Sequence, residues 1–139
     1  MMKKLLFALT LLIPTAHAEV AYFETSSLVH PDKSFVLQLT DPKKIDKARE
    51  LLASGGHTSH HFAGYVVPGK TFYNPEWSFH VDTDSIEFAE FSIEVCDAHP
   101  QFVEDHFEEV GGAFLPENIW CPWTSRLVRE IEISTIHAP

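Results

Sequence analysis

The order of hydrophobic patterns predicts an α+β fold, a mainly antiparallel sheet of about five to six strands with two helices packed on it. Three observations carry that expectation. Apolar residues alternate with polar ones at two places, Phe35, Leu37 and Leu39 in the first and Trp77, Phe79 and Val81 in the second. Two other stretches repeat at helical spacing, each opened by a proline and closed by paired glycines. The elements then run β, β, α, β, β, β, α, β, so that only two helices interrupt the runs of strands.

Taken in order, Val20 to Thr25 reads as a first short strand and Ser34 to Leu39 as a half-buried one, with Val36 the single residue out of phase. Asp41-Pro42 opens a helix, Asp as N-cap and Pro in the first turn, where its missing N–H costs nothing. Ile45, Ala48, Leu51 and Leu52 form its apolar stripe, and Gly55-Gly56 ends it. His61 to Val67 reads as a strand closed by Pro68-Gly69, and Tyr73-Asn74-Pro75 as a turn. In Trp77 to Asp82 the residues Trp77, Phe79 and Val81 take one face, Ser78, His80 and Asp82 the other. Ser85 to Cys96 is a long strand candidate whose apolar phase slips near Ala89-Glu90, the mark of a bulge or a short helical turn. Pro100 starts a second helix with Phe102, Val103, His106, Phe107 and Val110 on one face. Gly111-Gly112 stops it, Phe114 to Thr124 is an aromatic loop, and Arg126 to Ile136 is the last strand.

Residues 1 to 18 have the three parts of a secretory signal: Lys3 and Lys4, the apolar run Leu5 to Ile13, and the small-x-small site Ala16-His17-Ala18. The apolar run is too short to span a bilayer, and no cysteine follows Ala18 to take a lipid anchor. The expected product is a single domain, residues 19 to 139, secreted or periplasmic. The leader holds two of the ten basic residues and none of the twenty acids, which leaves eight against twenty, a net charge of −12. Such a chain repels phosphate backbones and anionic membranes, so no nucleic-acid partner is expected. In an oxidising compartment its two cysteines, Cys96 and Cys121, are expected to form one disulfide. Closing a loop of about 25 residues is worth roughly 3 kcal/mol on the chain-entropy model.

Candidate chemistry falls in three places. His57, His60 and His61 cluster in one loop, where imidazoles could ligate a metal, but adjacent side chains of an extended segment point apart and no HExxH pattern is present. They stand as weak metal candidates, and no cofactor is expected. His80 shares a strand face with Asp82; a neighbouring strand carrying Glu94 would complete a His–carboxylate set suited to acid–base work. The third place is the stiff loop Phe114 to Trp123, whose Trp120 and Trp123, with nearby Trp77 and Arg126, could form a partner-binding surface or plug the core. Gly-x-Ser-x-Gly, a Walker loop and Gly-x-Gly-x-x-Gly are absent from the sequence.

The run Tyr73 to Asp82, then Glu94-Val95-Cys96-Asp97, Gly111 to Pro116 and Trp120 to Val128 together resemble one family. The chain is similar there to the N-terminal domain of an amoebal calmodulin-binding protein, a domain also found in small exported bacterial proteins. The resemblance spans about residues 35 to 130 and implies membership and extent, with no catalytic residues to carry over. An exported chain would not meet calmodulin, so calmodulin is not an expected partner. The leading expectation is a binding module for a protein or carbohydrate, using the Trp120–Trp123 loop and the His80 face. The alternatives are a metal-dependent or acid–base hydrolase centred on His80 with Asp82 or Glu94, and a secreted protease inhibitor.

Overall fold

Alternation builds the first sheet as the sequence implies. In the computed structural model, which describes residues 18–55, 60–90 and 94–132, β1 (Ala21–Ser27) pairs antiparallel with β2 (Ser34–Leu39), Ala21 opposite Leu39 and Thr25 opposite Phe35. Phe23, Phe35, Leu37 and Leu39 turn inward and are fully buried. Val36, out of phase, has its own partners: it joins Tyr22, Tyr73 and Ile131 in a second, smaller apolar cluster. Thus the sheet buries residues of both phases. Helix α1 (Pro42–Ala53) runs as expected, with Asp41 Oδ1 accepting from the Lys43 N–H at 2.8 Å and Ile45, Ala48 and Leu51 buried. The chain leaves it through Gly55, whose φ of +78° suits a residue without a Cβ.

The second sheet is organised by β3 (His61–Pro68). Strand β4 (Phe79–Val81) pairs with its end, Val67 opposite His80, and β5 (Glu87–Ala89) with its beginning, Phe62 opposite Phe88. Between them Asp82 to Ser85 make a single tight turn, stitched to the middle of β3 by Asp82 N–H to Tyr65 O (2.9 Å) and Tyr65 N–H to Ser85 Oγ (2.8 Å). Gly64 faces this turn, and a Cβ there would lie 2.5 Å from Val81 Cγ1, so only glycine fits the approach.

Helix α2 (Pro100–Asp105) begins at Pro100 as expected, with His99 as N-cap, but stops five residues before Val110, the last residue expected in it. His106 leaves helical geometry, Phe107 to Glu109 form a tight turn, and Val110 enters β6 (Val110–Gly111). Strand β6 pairs with β7 (Phe114–Pro116) in a two-stranded sheet. Glu117 and Asn118, both at positive φ, then turn the chain into β8 (Ile119–Trp120), which pairs with β3. Finally β9 (Ser125–Ile131) returns to the first sheet beside β1, giving the order β2-β1-β9.

The architecture is therefore α+β and mainly antiparallel, with two helices, but its nine described strands divide among three sheets rather than lying in one of five or six. Over the described part of the long strand expected at Ser85–Cys96 there are instead a turn, β5 and a second turn at Glu94–Cys96, while residues 91–93 lie outside the described residues. Ser85 supplies the reason at one end: its hydroxyl donates locally to Asp82 O and accepts across from the Tyr65 N–H of β3, bonds that compete with a continuing ladder. The loop expected over Phe114–Thr124 contains β7 and β8.

One core is shared by the inner faces of the two larger sheets, α1 and Val103 of α2. At its centre Phe35 meets Phe79 at 5.3 Å and Trp120 edge-on at 5.0 Å, while Phe62 meets Trp120 edge-on at 5.2 Å. Burying rings of this size contributes about 1.5–3 kcal/mol each before the entropy of ordering them is subtracted. Cys96 and Cys121 are disulfide-bonded, Cα to Cα 5.1 Å, and the Cys121 N–H donates to Cys96 O at 2.7 Å. Among the described residues no helix is long and apolar enough to cross a membrane.

Candidate functional site

A broad, open cleft lies where the β3–β4 connection passes over the outer face of the first sheet, and it measures about 540 Å³. Gln38 of β2 forms one wall, Lys70, Phe72 and Tyr73 of the connection another, and His80 and Asp82 the third. The local sequence explains the geometry. Gly69, at φ +121°, starts the connection, and its N–H donates to Ser78 O at 2.8 Å, which closes the base. Asn74 ends it by behaving as a strand residue: its Oδ1 accepts from the Val36 N–H (2.8 Å) and its Nδ2 donates to Val36 O (2.7 Å). The outer edge of β2 is thereby blunted by one side-chain amide, and the Trp77 Nε1–H donates to Ser34 O at 3.0 Å beside it.

Two polar side chains of the cleft, His80 and Gln38, are held in place by hydrogen bonds within the protein. His80 Nδ1 lies 2.9 Å from Gly69 O, a carbonyl that can only accept, so this nitrogen carries a proton, and in the neutral ring Nε2 has the lone pair. Gln38 is fixed from both ends, its Nε2 donating to the Tyr22 hydroxyl at 3.0 Å and its Oε1 accepting from Thr83 Oγ1 at 3.1 Å. Lys44 of α1 steadies the adjoining turn by donating to Asp84 O at 2.9 Å. Tyr73 is nearly buried, and burial raises the pKa of its phenol; the Thr71 hydroxyl beside it works in the opposite direction. Phe72 is the exception, 47 % exposed at the rim, braced edge-on by Tyr22 at 5.7 Å and Tyr73 at 5.4 Å.

The sequence candidates separate into several places. His80 and Asp82 line the cleft together. Glu94 does not join them: it is exposed on the turn Glu94–Cys96, and the strand beside His80 is β3, with Val67 opposite. Trp77 and Trp120 lie in the core, 3 % and 0 % exposed, each with its ring N–H donating to a backbone carbonyl, Ser34 O and Ala98 O. They hold the fold and offer no face to a partner. Trp123 is half-buried, its backbone N–H donates to Asp97 Oδ1 at 2.9 Å, and its ring nitrogen is buried without a hydrogen bond. Arg126 points back to the chain, Nη1 donating to Trp123 O and Ser125 O, each at 2.8 Å. It borders a narrow crevice between β9 and the start of β3 of only about 10 Å³, at most one water.

Of the histidine cluster, His57 lies outside the described residues. His61 is buried in β3, and His60 Nε2 sits 3.6 Å from Glu90 Oε1. Among the described residues no three His, Cys, Asp or Glu side chains converge as a cation site. Ser78, on the same strand face as His80, is no nucleophile for it, because its hydroxyl and its N–H both donate to Glu104 Oε2 at 3.0 Å. Gln38, Lys70, Phe72 and Tyr73 were missed as site residues. The available signal was an aromatic pair set between two turn formers, Pro68-Gly69 and Asn74-Pro75.

The fold and cleft define a small disulfide-stapled α+β domain with an open recess of mixed polar and aromatic lining. The chain belongs to the BP-74 N-terminal domain family, that of the calmodulin-binding protein its motifs resemble, and the family model matches residues 19–134. That match begins at the residue after the expected signal cleavage site and takes in the disulfide, the cleft and all nine described strands. No curated protein and no solved structure matches the chain.

Proposed function

We propose that this domain is an exported, non-catalytic binding module that takes its ligand in the cleft of His80 and Asp82 rather than on the Trp120–Trp123 loop. The observation that carries the reading is a recess of about 540 Å³ in which the His80 and Gln38 side chains are already fixed by the protein's own hydrogen bonds. Pre-ordered groups lose little entropy when a ligand docks, which is what a recognition site needs. A disulfide suits the oxidising compartment to which the leader would deliver the chain.

Hydrolysis draws less support. Acid–base catalysis wants a base oriented by a carboxylate and a nucleophile in reach; His80 is oriented by a carbonyl, and Ser78 is held by Glu104. A protease inhibitor would present the aromatic loop, whose Trp120 is instead inside the core.

Chemical-shift mapping with a mixed library of sugars, short peptides and small polar metabolites tests the reading. Perturbations are expected at Gln38, Lys70, Phe72, His80 and Asp82. Perturbations confined to Trp123 and Arg126 would overturn it in favour of the loop.

A further inference from the structure

Resting on the cleft reading, we infer that the ligand is a free α-amino acid, held as a zwitterion with its ammonium on Asp82 and His80 and its carboxylate on Lys70. The cleft lining holds one cation, Lys70, and one carboxylate, Asp82. Elsewhere several charges are paired, Lys44 with Glu87, Arg49 with Glu19 and Glu130, and Arg129 with Glu24. Lys70 and Asp82 share one recess, and among the described residues neither belongs to an ion pair. Asp82 is also spared by its own turn. It is the N-cap of Thr83–Ser85, yet its side chain makes no capping bond there. The turn uses only its backbone, the N–H donating to Tyr65 O and the carbonyl accepting from the Ser85 hydroxyl. A carboxylate left out of its local capping role is one the cleft can use.

The remaining polar groups sort by wall in the same way. An ammonium group only donates, and the third wall offers it two acceptors, the Asp82 carboxylate and, in the neutral ring, His80 Nε2. The two residues stand two positions apart on one strand face, roughly 7 Å at the backbone, a spacing that one ammonium can bridge. A carboxylate only accepts, and the other walls offer it donors, Lys70 and the second N–H of Gln38 Nε2, whose first donates to Tyr22. Net charge narrows the choice. An anion is opposed by Asp82 and by the −10 of the whole chain, a cation by Lys70, and a neutral ligand leaves both charges without a counterpart. The recess of about 540 Å³ falls within the roughly 300–1,000 Å³ of small-molecule sites, which leaves room for an amino-acid side chain. Longer peptides bond through their backbone along an open strand edge, and the neighbouring edge of β2 is closed by Asn74 and Trp77.

The test titrates the mature protein with the common L-amino acids, followed by chemical shifts and calorimetry. The N-acetyl and methyl ester forms of each, which remove one charge apiece, run beside them, with neutral disaccharides and short peptides as further arms. At least one free amino acid is expected to saturate at millimolar concentration or below, with shifts at His80 and Asp82. Its two blocked forms should bind about tenfold more weakly or worse. Asp82→Asn and Lys70→Gln should each weaken it to a similar degree, while the thermal midpoint stays near that of the parent. If blocked forms, sugars or peptides shift the cleft residues as well as any free amino acid does, the zwitterion inference falls and the cleft reading stands. If an amino acid binds and neither variant weakens it, or no arm shifts a cleft residue, both fall.

Discussion

The Trp120–Trp123 loop and the Lys70–Tyr73 connection are both short, aromatic and flanked by turn residues, yet they end up on opposite sides of the protein's boundary with water. The first is tied inward at three of its residues. Trp120 donates its ring N–H to Ala98 O, Cys121 is covalently tied to Cys96 and hydrogen-bonded to its carbonyl, and Trp123 is bonded to Asp97. The second is pinned by backbone and side-chain amide bonds at its ends, Gly69 and Asn74, and between them Lys70 and Phe72 line the wall of a cleft. Aromatic content alone does not make a binding surface. What decides is whether the ring's neighbours consume its polar atoms and cover its faces.

Breaking that contrast should give effects of very different size. Trp120→Ala removes the ring shared by Phe35, Phe62 and Phe79 and should cost about 3–5 kcal/mol in denaturant unfolding, enough to leave little folded protein. The exposed Phe72→Ala, by contrast, should cost about 1 kcal/mol or less in the same measurement. A loss for Phe72 comparable with that for Trp120 would mean the cleft wall is structural. Next in size is the staple: replacing Cys96 and Cys121 together by alanine should lower stability by about 3 kcal/mol while leaving the cleft's chemical shifts nearly unchanged.

A smaller effect lies at the start of α2, where His99 Nδ1 accepts from the Phe102 N–H at 3.2 Å. Only the neutral ring can do this, and burial, then the adjacent His30, lower the pKa of His99 against the opposing pull of Asp105 and Asp97. A lowered histidine pKa means the cap's contribution is present above the ordinary value near 6.5 and is lost as pH falls through it toward the lowered one. His99→Asn should keep a cap and flatten that part of the pH profile, whereas His99→Ala should cost about 1 kcal/mol at neutral pH. Thermal melts from pH 7.5 to 5 would show it.

The smallest effect is expected at Glu130, whose pKa is lowered chiefly by its hydrogen bond from Arg49. Its contribution is present above the ordinary carboxylate value and lost as pH falls through the lowered one. Because the pair is solvent-exposed, Glu130→Gln should move the melting midpoint by on the order of one degree, and less in high salt.

Helix α1 was legible almost to the residue, because its N-cap, its proline, its stripe and its glycine stop are all local signals within sixteen residues. Strand β2 and the two-faced run Trp77 to Asp82 were legible for the same reason, the period of two. The strand expected over Ser85–Cys96 was not, since a serine hydroxyl bonding back to β3 is a tertiary contact with no local period. Among site residues, His80 and Asp82 were found from their shared strand face. Lys70 and Phe72 were not, because a turn carries no periodicity that says which side faces water.

By itself the sequence determined what local chemistry and counting can: the helix starts, the alternating strands, the acidic balance and, from only two cysteines, the single disulfide they can form. Tertiary structure alone decided the pairing of β4 with β3, the division into three sheets, and which aromatic rings became core. It also assembled the cleft, since Gln38, Phe72 and His80 come from three segments over more than forty residues. Their meeting depends on how two sheets share one core, and no stretch of chain short enough to have a period contains that information.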